Sequence, residues 1–444
     1  MAGSPYLPHT AEDISAMLER IGVPDLDALY SDIPSDLKLK AAPELPEALS
    51  EQEVRDFFTA LDAKNPRLKV FVGAGAYDHY TPSVIPYITS RSEFLTAYTP
   101  YQCEISQGTL RYIFEFQSMI CALTGLDCAN ASMYDGATAA AEAAMMAISS
   151  TKKKDTVIIS GALLPNVIKV ICTYATYHGF NVLVLIPKEG ETPVEAVREC
   201  LAEGNVAGLI VPSVNRYGII EDHSGLADVL HEAGALLIEY CDPSALAVVK
   251  TPAEWGADIA VGDGQSLGIP LCYGGPYVGF MAAKKDYLRK LPGRIVGETV
   301  DRQGRRSYVL TLQAREQHIR REKATSNICS NQSLMALWTT VYCSLMGPAG
   351  LREVNRISSD GAHYLKARLL ETGLFEDVFP GKPFLKEFVL RPLVDPEKLQ
   401  KVLLDAGFFA ALETEEGFVS FCVTEKRLKA ETDALVETIK NSGL

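Results

Sequence analysis

The sequence predicts an α/β fold: a mainly parallel sheet covered by helices on both faces, followed by a smaller α/β domain. Three observations lead there. From about Ser132 onward, short unbroken apolar runs alternate with helical patterns, which is how strands buried on both faces read. Glycines and prolines punctuate the boundaries between those segments. The chain has 444 residues, of which 47% are hydrophobic, enough for a large core.

Three regions separate by texture. Residues 1–70 are polar, charged and interrupted by Pro24, Pro34, Pro43 and Pro46, and read as an N-terminal helical arm. Thr10 with Asp13, and Ser50 with Glu53, have the spacing of capping boxes, the second opening a helix near residues 51–64. Residues 71–340 form the large α/β domain. Its strands are predicted over 156–160, 181–186, 206–211, 235–240, 257–261 and 277–282, with helices over 165–177, 193–202 and 226–233 and a helix stop at Gly179. Residues 341–444 form the small domain, with helices near 351–371, 396–406 and 426–440 and strands over 384–390 and 418–421.

Bulk properties exclude several classes. A net charge of -14 repels phosphate backbones, so no nucleic-acid partner is expected. The ten cysteines are scattered without Cys-x-x-Cys spacing, so buried free thiols in a reducing compartment are expected and no metal site. The first ten residues carry no basic-then-apolar leader, and no apolar run reaches 18 residues. The expectation is therefore a cytoplasmic protein without a membrane span.

Four segments could carry chemistry. Asp135-Gly136 opens the Ala-rich stretch 137–148. A glycine turn into a helix N-terminus offers free N–H groups to a phosphate, but the density of alanine favours a tight turn into a buried helix when the segment is taken alone. Asp242 ends a strand. It could pair with a protonated pyridine nitrogen or simply start a turn with Pro243, and neither reading wins alone. Glycines crowd residues 262–276 around Gln265, which implies sharp turns or close approach. Arg302, Arg305 and Arg306 precede Arg315, Arg320, Arg321 and Lys323. On an acidic chain this suggests carboxylate or phosphate binding more than a helix laced by pairs such as Glu316 with Arg320. The histidines outside that cluster have no evident partners.

Longer strings resemble a known family. Tyr98-Thr-Pro-Tyr-Gln-Cys-Glu-Ile-Ser-Gln-Gly108, Thr124-Gly-Leu-Asp-Cys-Ala-Asn-Ala-Ser132, Ala137-Thr-Ala-Ala-Ala-Glu-Ala143, Gly274-Gly-Pro276 and Arg315-Glu-Gln-His-Ile-Arg-Arg-Glu-Lys-Ala-Thr-Ser-Asn-Ile-Cys329 are similar to the glycine-decarboxylating P-proteins of the glycine cleavage system, in particular the subunit 1, or alpha, half. Cys103 departs from the proline expected there.

The resemblance implies the large pyridoxal-phosphate-dependent transferase fold (fold type I). It also implies an assembly of two alpha and two beta subunits with sites at the interfaces. Asp242 matches the pyridine-binding aspartate. The family lysine lies four residues before an Ile-Pro pair, and counting back from Ile269-Pro270 reaches Gln265. The chain would then hold no catalytic residue of its own, with Asp242 and Gln265 as vestiges. The beta subunit would hold pyridoxal phosphate covalently, decarboxylate glycine and pass the aminomethyl group to the lipoylated H-protein. Thr325, Ser326 and Asn327 are candidates to reach the partner's cofactor phosphate, and Tyr98, Tyr101 and Glu104 to line the access path. Two alternatives are a stand-alone enzyme using another lysine, such as Lys284, and a non-catalytic scaffold of the same fold.

Overall fold

The computed structural model describes residue 6 and residues 8–41, 43–151, 153–324 and 326–444. The chain divides into two compact units, residues 1–66 and 67–444.

In the first unit, both capping boxes form. The Thr10 hydroxyl accepts from the Asp13 amide, and the Asp13 carboxylate returns a bond to the Thr10 amide at 2.8 Å, opening helix Ala11–Ile21. Ser50 and Glu53 do the same for helix Glu51–Asp62. Gly22 closes the first helix in the left-handed region, where a Cβ would be strained. Neither helix has a buried residue.

In the second unit, a seven-stranded sheet runs in the order Cys128–Ala129, Gly279–Ala283, Ile259–Asp263, Leu236–Tyr240, Val206–Pro212, Thr156–Ser160, Asn181–Leu185. The last five strands in that order are parallel. Every residue of Thr156–Ser160 and Val206–Pro212 is buried, as their unbroken apolar runs require. Two expectations need correction. The strand at Gly279–Ala283 runs antiparallel to Ile259–Asp263, because apolar periodicity carries no information about strand direction. The run at Asn181–Leu185 is an edge strand with Leu183 and Val184 exposed, not a doubly covered one.

Helix Gly136–Ser150 crosses the sheet. Its alanines at 139, 140, 141, 143, 144 and 147 let it pack closely in the main core with Val157, Ile210 and Ile238. A hairpin, Ile295–Val300 with Arg306–Thr311, was not evident in the sequence. The cationic stretch that follows is not one helix. It breaks into turns at Gln313–Arg315 and Arg321–Lys323 around the short helix Gln317–Arg320, and Glu316 faces Arg294 and His318 rather than Arg320. Arg305 and Arg306 sit on the hairpin beside Asp301 and Glu298, so the cationic residues occupy separate surfaces.

Helix Ser333–Leu370 is long and apolar enough, by length and composition alone, to cross a membrane. Gly347, at φ 58°, breaks it before Pro348, and it packs on helix Gln107–Thr124 and on helix Lys429–Asn441 of the small domain. The C-terminal small domain is an antiparallel sheet in the order Phe375–Asp377, Glu387–Pro392, Val419–Cys422, Leu412–Glu413. Phe388 stacks on Phe421 across it, and Leu399, Leu403, Leu435 and Ile439 close its core from helices Pro396–Asp405 and Lys429–Asn441. The ten cysteines are free thiols, but Cys241 and Cys422 are the two that are buried. Cys272 is exposed, because it lies in the turn Cys272–Gly274 rather than in an apolar run.

Candidate functional site

The parallel strands point their carboxyl ends at a cavity of about 40 Å³, where ligands usually bind in open α/β sheets. Its walls include Tyr77, Asp242, Asp263, Ser266 and, from the small domain, Lys386 and Glu387.

Asp242 leaves the strand Leu236–Tyr240 and is already fully engaged. One oxygen accepts the Lys386 ammonium at 2.6 Å. The other accepts the Ser266 hydroxyl and the Ser244 amide. Burial works to raise this carboxyl, but the Lys386 charge and the hydrogen bonds outweigh it and the net shift is downward. Lys386 also lies 3.0 Å from His79 Nε2 and 3.9 Å from the Tyr77 ring centroid. Burial, then the Lys386 charge, hold His79 below its ordinary value. The neutral imidazole therefore accepts from Lys386 at Nε2 and donates from Nδ1 to Glu425, at 2.6 Å.

Gln265 is 1% exposed. Its Nε2 donates to the carbonyls of Tyr77 at 2.8 Å and Ile269 at 2.7 Å, and its Oε1 accepts the Tyr77 amide at 2.7 Å. The amide thus clamps the 73–79 segment to the 263–269 turn.

Asp263 ends the strand Ile259–Asp263. Its carboxylate accepts the Gly136 amide at 3.0 Å and the Gln265 amide at 2.9 Å. Asp135 caps the same helix by accepting from Thr138 at 2.8 Å. The helix start that the sequence offers to a phosphate is therefore occupied by the chain's own carboxylates. Position 136 must be glycine, since a Cβ there would lie 2.6 Å from the Tyr240 hydroxyl and 2.8 Å from the Asp263 amide.

Burial pushes the Asp263 carboxyl up to about 7. A carboxyl whose folded pKa exceeds its unfolded value of about 3.9 binds more protons in the folded state, so it erodes stability as pH rises from about 4 to 7. The stability of the wild type minus that of Asp263→Asn is therefore expected to fall across that window in urea titrations. A difference that is flat or rises contradicts the assignment.

The other candidates lie in four further places. Tyr98, 79% exposed, lines a second cavity with the buried Arg294. The Arg294 guanidinium lies over the Tyr101 ring at 5.6 Å, and the His318 ring meets the Tyr101 ring edge-on, with centroids 5.9 Å apart. Glu104 is separate, in a groove with Gln107, Arg111 and the hairpin residues Arg305 and Arg306. Ser326 donates to Glu142 at 2.9 Å, and burial pushes the Glu142 carboxyl up to about 7. Asn327 lines a cavity with Glu142, Tyr174 and His178, and Thr325 lies outside the described residues. Lys284 pairs with Asp258 at 2.7 Å, at the amino end of the strand Ile259–Asp263 and so at the opposite end of the sheet from Asp242.

Sequence reading missed Lys386, His79 and Glu425. His79 stands 346 residues from Glu425, and Lys386 stands 144 from Asp242, so no local spacing could join them.

This architecture is that of the fold type I pyridoxal-phosphate-dependent enzymes. Glutamate decarboxylase of Lactobacillus brevis shares it at TM-score 0.68 and 14% identity, covering 94% of this chain and 96% of that one. A far nearer match is a crystal structure of glycine decarboxylase (P-protein) of the glycine cleavage system in inhibitor-bound form. It has TM-score 0.91 and 43% identity and covers 98% of this chain and 99% of that one. The family described as glycine cleavage system P-protein matches residues 4–439. The probable glycine dehydrogenase (decarboxylating) subunit 1 of Desulforamulus reducens is 48% identical over 97% of this chain and 98% of its own length. Its counterpart in Carboxydothermus hydrogenoformans is 46% identical over 98% and 99%. The chain belongs to the glycine cleavage system P-protein family.

Proposed function

We propose that this chain is one half of a two-chain glycine decarboxylase, in which a second subunit supplies the lysine and holds pyridoxal phosphate. The relatives' designation as subunit 1 supports a second subunit. Gln265 carries the reading. It stands four residues before Ile269-Pro270, buried, with its amide committed to Tyr77 and Ile269. An amide nitrogen is not a nucleophile and forms no imine.

The cavity beside it does not fit the cofactor. The polar groups that a substituted pyridine with a phosphate would need there are already satisfied within the chain. Asp242 is taken by Lys386, and the Gly136 amide by Asp263. Lys284, at the far end of the sheet, offers no substitute for the missing amine.

Bound in the partner, pyridoxal phosphate supplies the electron sink for loss of CO2 from glycine. In this reading the present chain supplies walls and polar contacts across the interface. Tyr98 and Tyr101 line one stretch of the access path, and Glu104, in its separate groove, lines another. Thr325, Ser326 and Asn327 reach the partner's cofactor phosphate, with the Ser326 hydroxyl exchanging Glu142 for a phosphate oxygen. The assembly is two alpha and two beta chains in the cytoplasm, and the aminomethyl group passes to the lipoyl arm of the H-protein.

Replacing Ser326 and Asn327 by alanine is expected to weaken cofactor binding by the complex by about ten-fold, the equivalent of about 1.4 kcal/mol. Unchanged affinity in a spectrophotometric titration removes that role. The whole reading is tested by glycine–bicarbonate exchange with H-protein present. Exchange is expected only when this chain and the second subunit are mixed, and exchange by either chain alone overturns it.

A further inference from the structure

We propose that Lys386 and Asp263 are specificity-determining residues. Their side chains stand where a cofactor's two charged ends would be held, and they keep pyridoxal phosphate out of this half of the enzyme. The inference rests on the reading of Gln265 given above, but asks a different question: whether loss of the lysine alone accounts for a site that takes no cofactor.

Two separate contacts carry it. A pyridinium N–H would donate to the buried Asp242 carboxylate. That carboxylate already accepts the Lys386 ammonium at 2.6 Å, and Lys386 is held in turn by His79, which Glu425 orients. A phosphate would take the free amides at the start of helix Gly136–Ser150. The Gly136 amide already donates to Asp263 at 3.0 Å. One internal ammonium and one internal carboxyl thus satisfy partners that the two ends of a pyridinium phosphate would need. Leaving either set empty would strand buried polar groups, which is costly. Lys386 comes from the small domain and Asp242 from the sheet, and they meet at 2.6 Å in the wall of the cavity.

Restoring the amine is therefore insufficient. In Gln265→Lys, added pyridoxal phosphate is expected to give no imine absorbance and no borohydride-trapped adduct at position 265. In the triple variant Gln265→Lys, Lys386→Met, Asp263→Ser, the cofactor's own charges replace those removed. Binding at least about ten-fold tighter than in the single variant is expected, together with a rise in melting temperature on adding cofactor. Imine formation by Gln265→Lys alone, as tight as in the triple, overturns the proposal. So does a folded triple variant, judged by circular dichroism, that gains neither adduct nor thermal shift.

The full wild-type chain provides a second measurement independent of those variants. Borohydride trapping with pyridoxal phosphate followed by peptide mapping should mark exposed lysines and spare Lys386. Labelling of Lys386 would show an amine free to take the cofactor and would overturn the exclusion. Uptake of cofactor with decarboxylation by the unmodified chain would instead refute the underlying subunit reading, so the two failures are distinct.

Discussion

Lys386→Met is expected to lower the stability of this chain by about 3–5 kcal/mol at neutral pH, because it leaves a buried carboxylate without its counter-charge. Lys386 and Asp242 have side chains only 4% and 13% exposed, so water cannot replace the missing ammonium. The pH dependence has a definite sign. In the wild type the Asp242 carboxyl is held down, so its contribution is present above about pH 3.9 and fades as acid protonates it. Without Lys386, its largest counter-influence, burial is opposed mainly by the Ser266 and Ser244 hydrogen bonds, and the carboxyl moves up. The gap between wild type and variant should therefore open as pH rises from about 4 to 7. The double variant Lys386→Met, Asp242→Leu should recover most of the loss, since removing both charges leaves no buried ion. Urea titrations of the four members of this cycle at pH 4 and pH 7 check it. A single variant as stable as the wild type at pH 7 would mean that the pair is solvated.

Placing aspartate at Phe57 and Phe58 is expected to abolish stable association with the second subunit while leaving the melting temperature of this chain unchanged. Val54, Phe57, Phe58 and Leu61 recur at helical spacing on Glu51–Asp62 and are all exposed, Phe57 and Phe58 to about 60% (59% and 60%). Ordinary surfaces do not display two adjacent phenylalanine rings above an otherwise polar helix, and such aromatic positions carry about 2 kcal/mol or more each when buried at an interface. Co-purification of tagged second subunit with wild type and variant, alongside thermal melts of each, separates loss of docking from loss of fold. Retained association would assign this face to some other contact.

Much of the scaffold was legible because its signals are local. The capping boxes at Thr10 and Ser50 depend on residues three apart, and both form. The strands Thr156–Ser160 and Val206–Pro212 announce themselves by unbroken apolar runs. What failed was information that a local pattern cannot hold. Nothing in Gly279–Ala283 encodes its reversed direction, and the hairpin Ile295–Val300 with Arg306–Thr311 mixes charged with apolar residues at one edge of the fold. The clustered arginines read as one basic surface, yet turns at Leu312 and Arg321, both at positive φ, spread them. In the candidate site, Asp242 and Gln265 were singled out by the family resemblance. The lysine facing Asp242 was not, because the small domain brings it in from residue 386.

We propose that this chain has the fold of a cofactor enzyme without the means to hold the cofactor. It is tested most directly by purifying the chain by itself, adding pyridoxal phosphate and glycine, and recording imine absorbance together with CO2 release. Neither signal is expected until the second subunit is added. A yellow chain that releases CO2 from glycine unaided would contradict it.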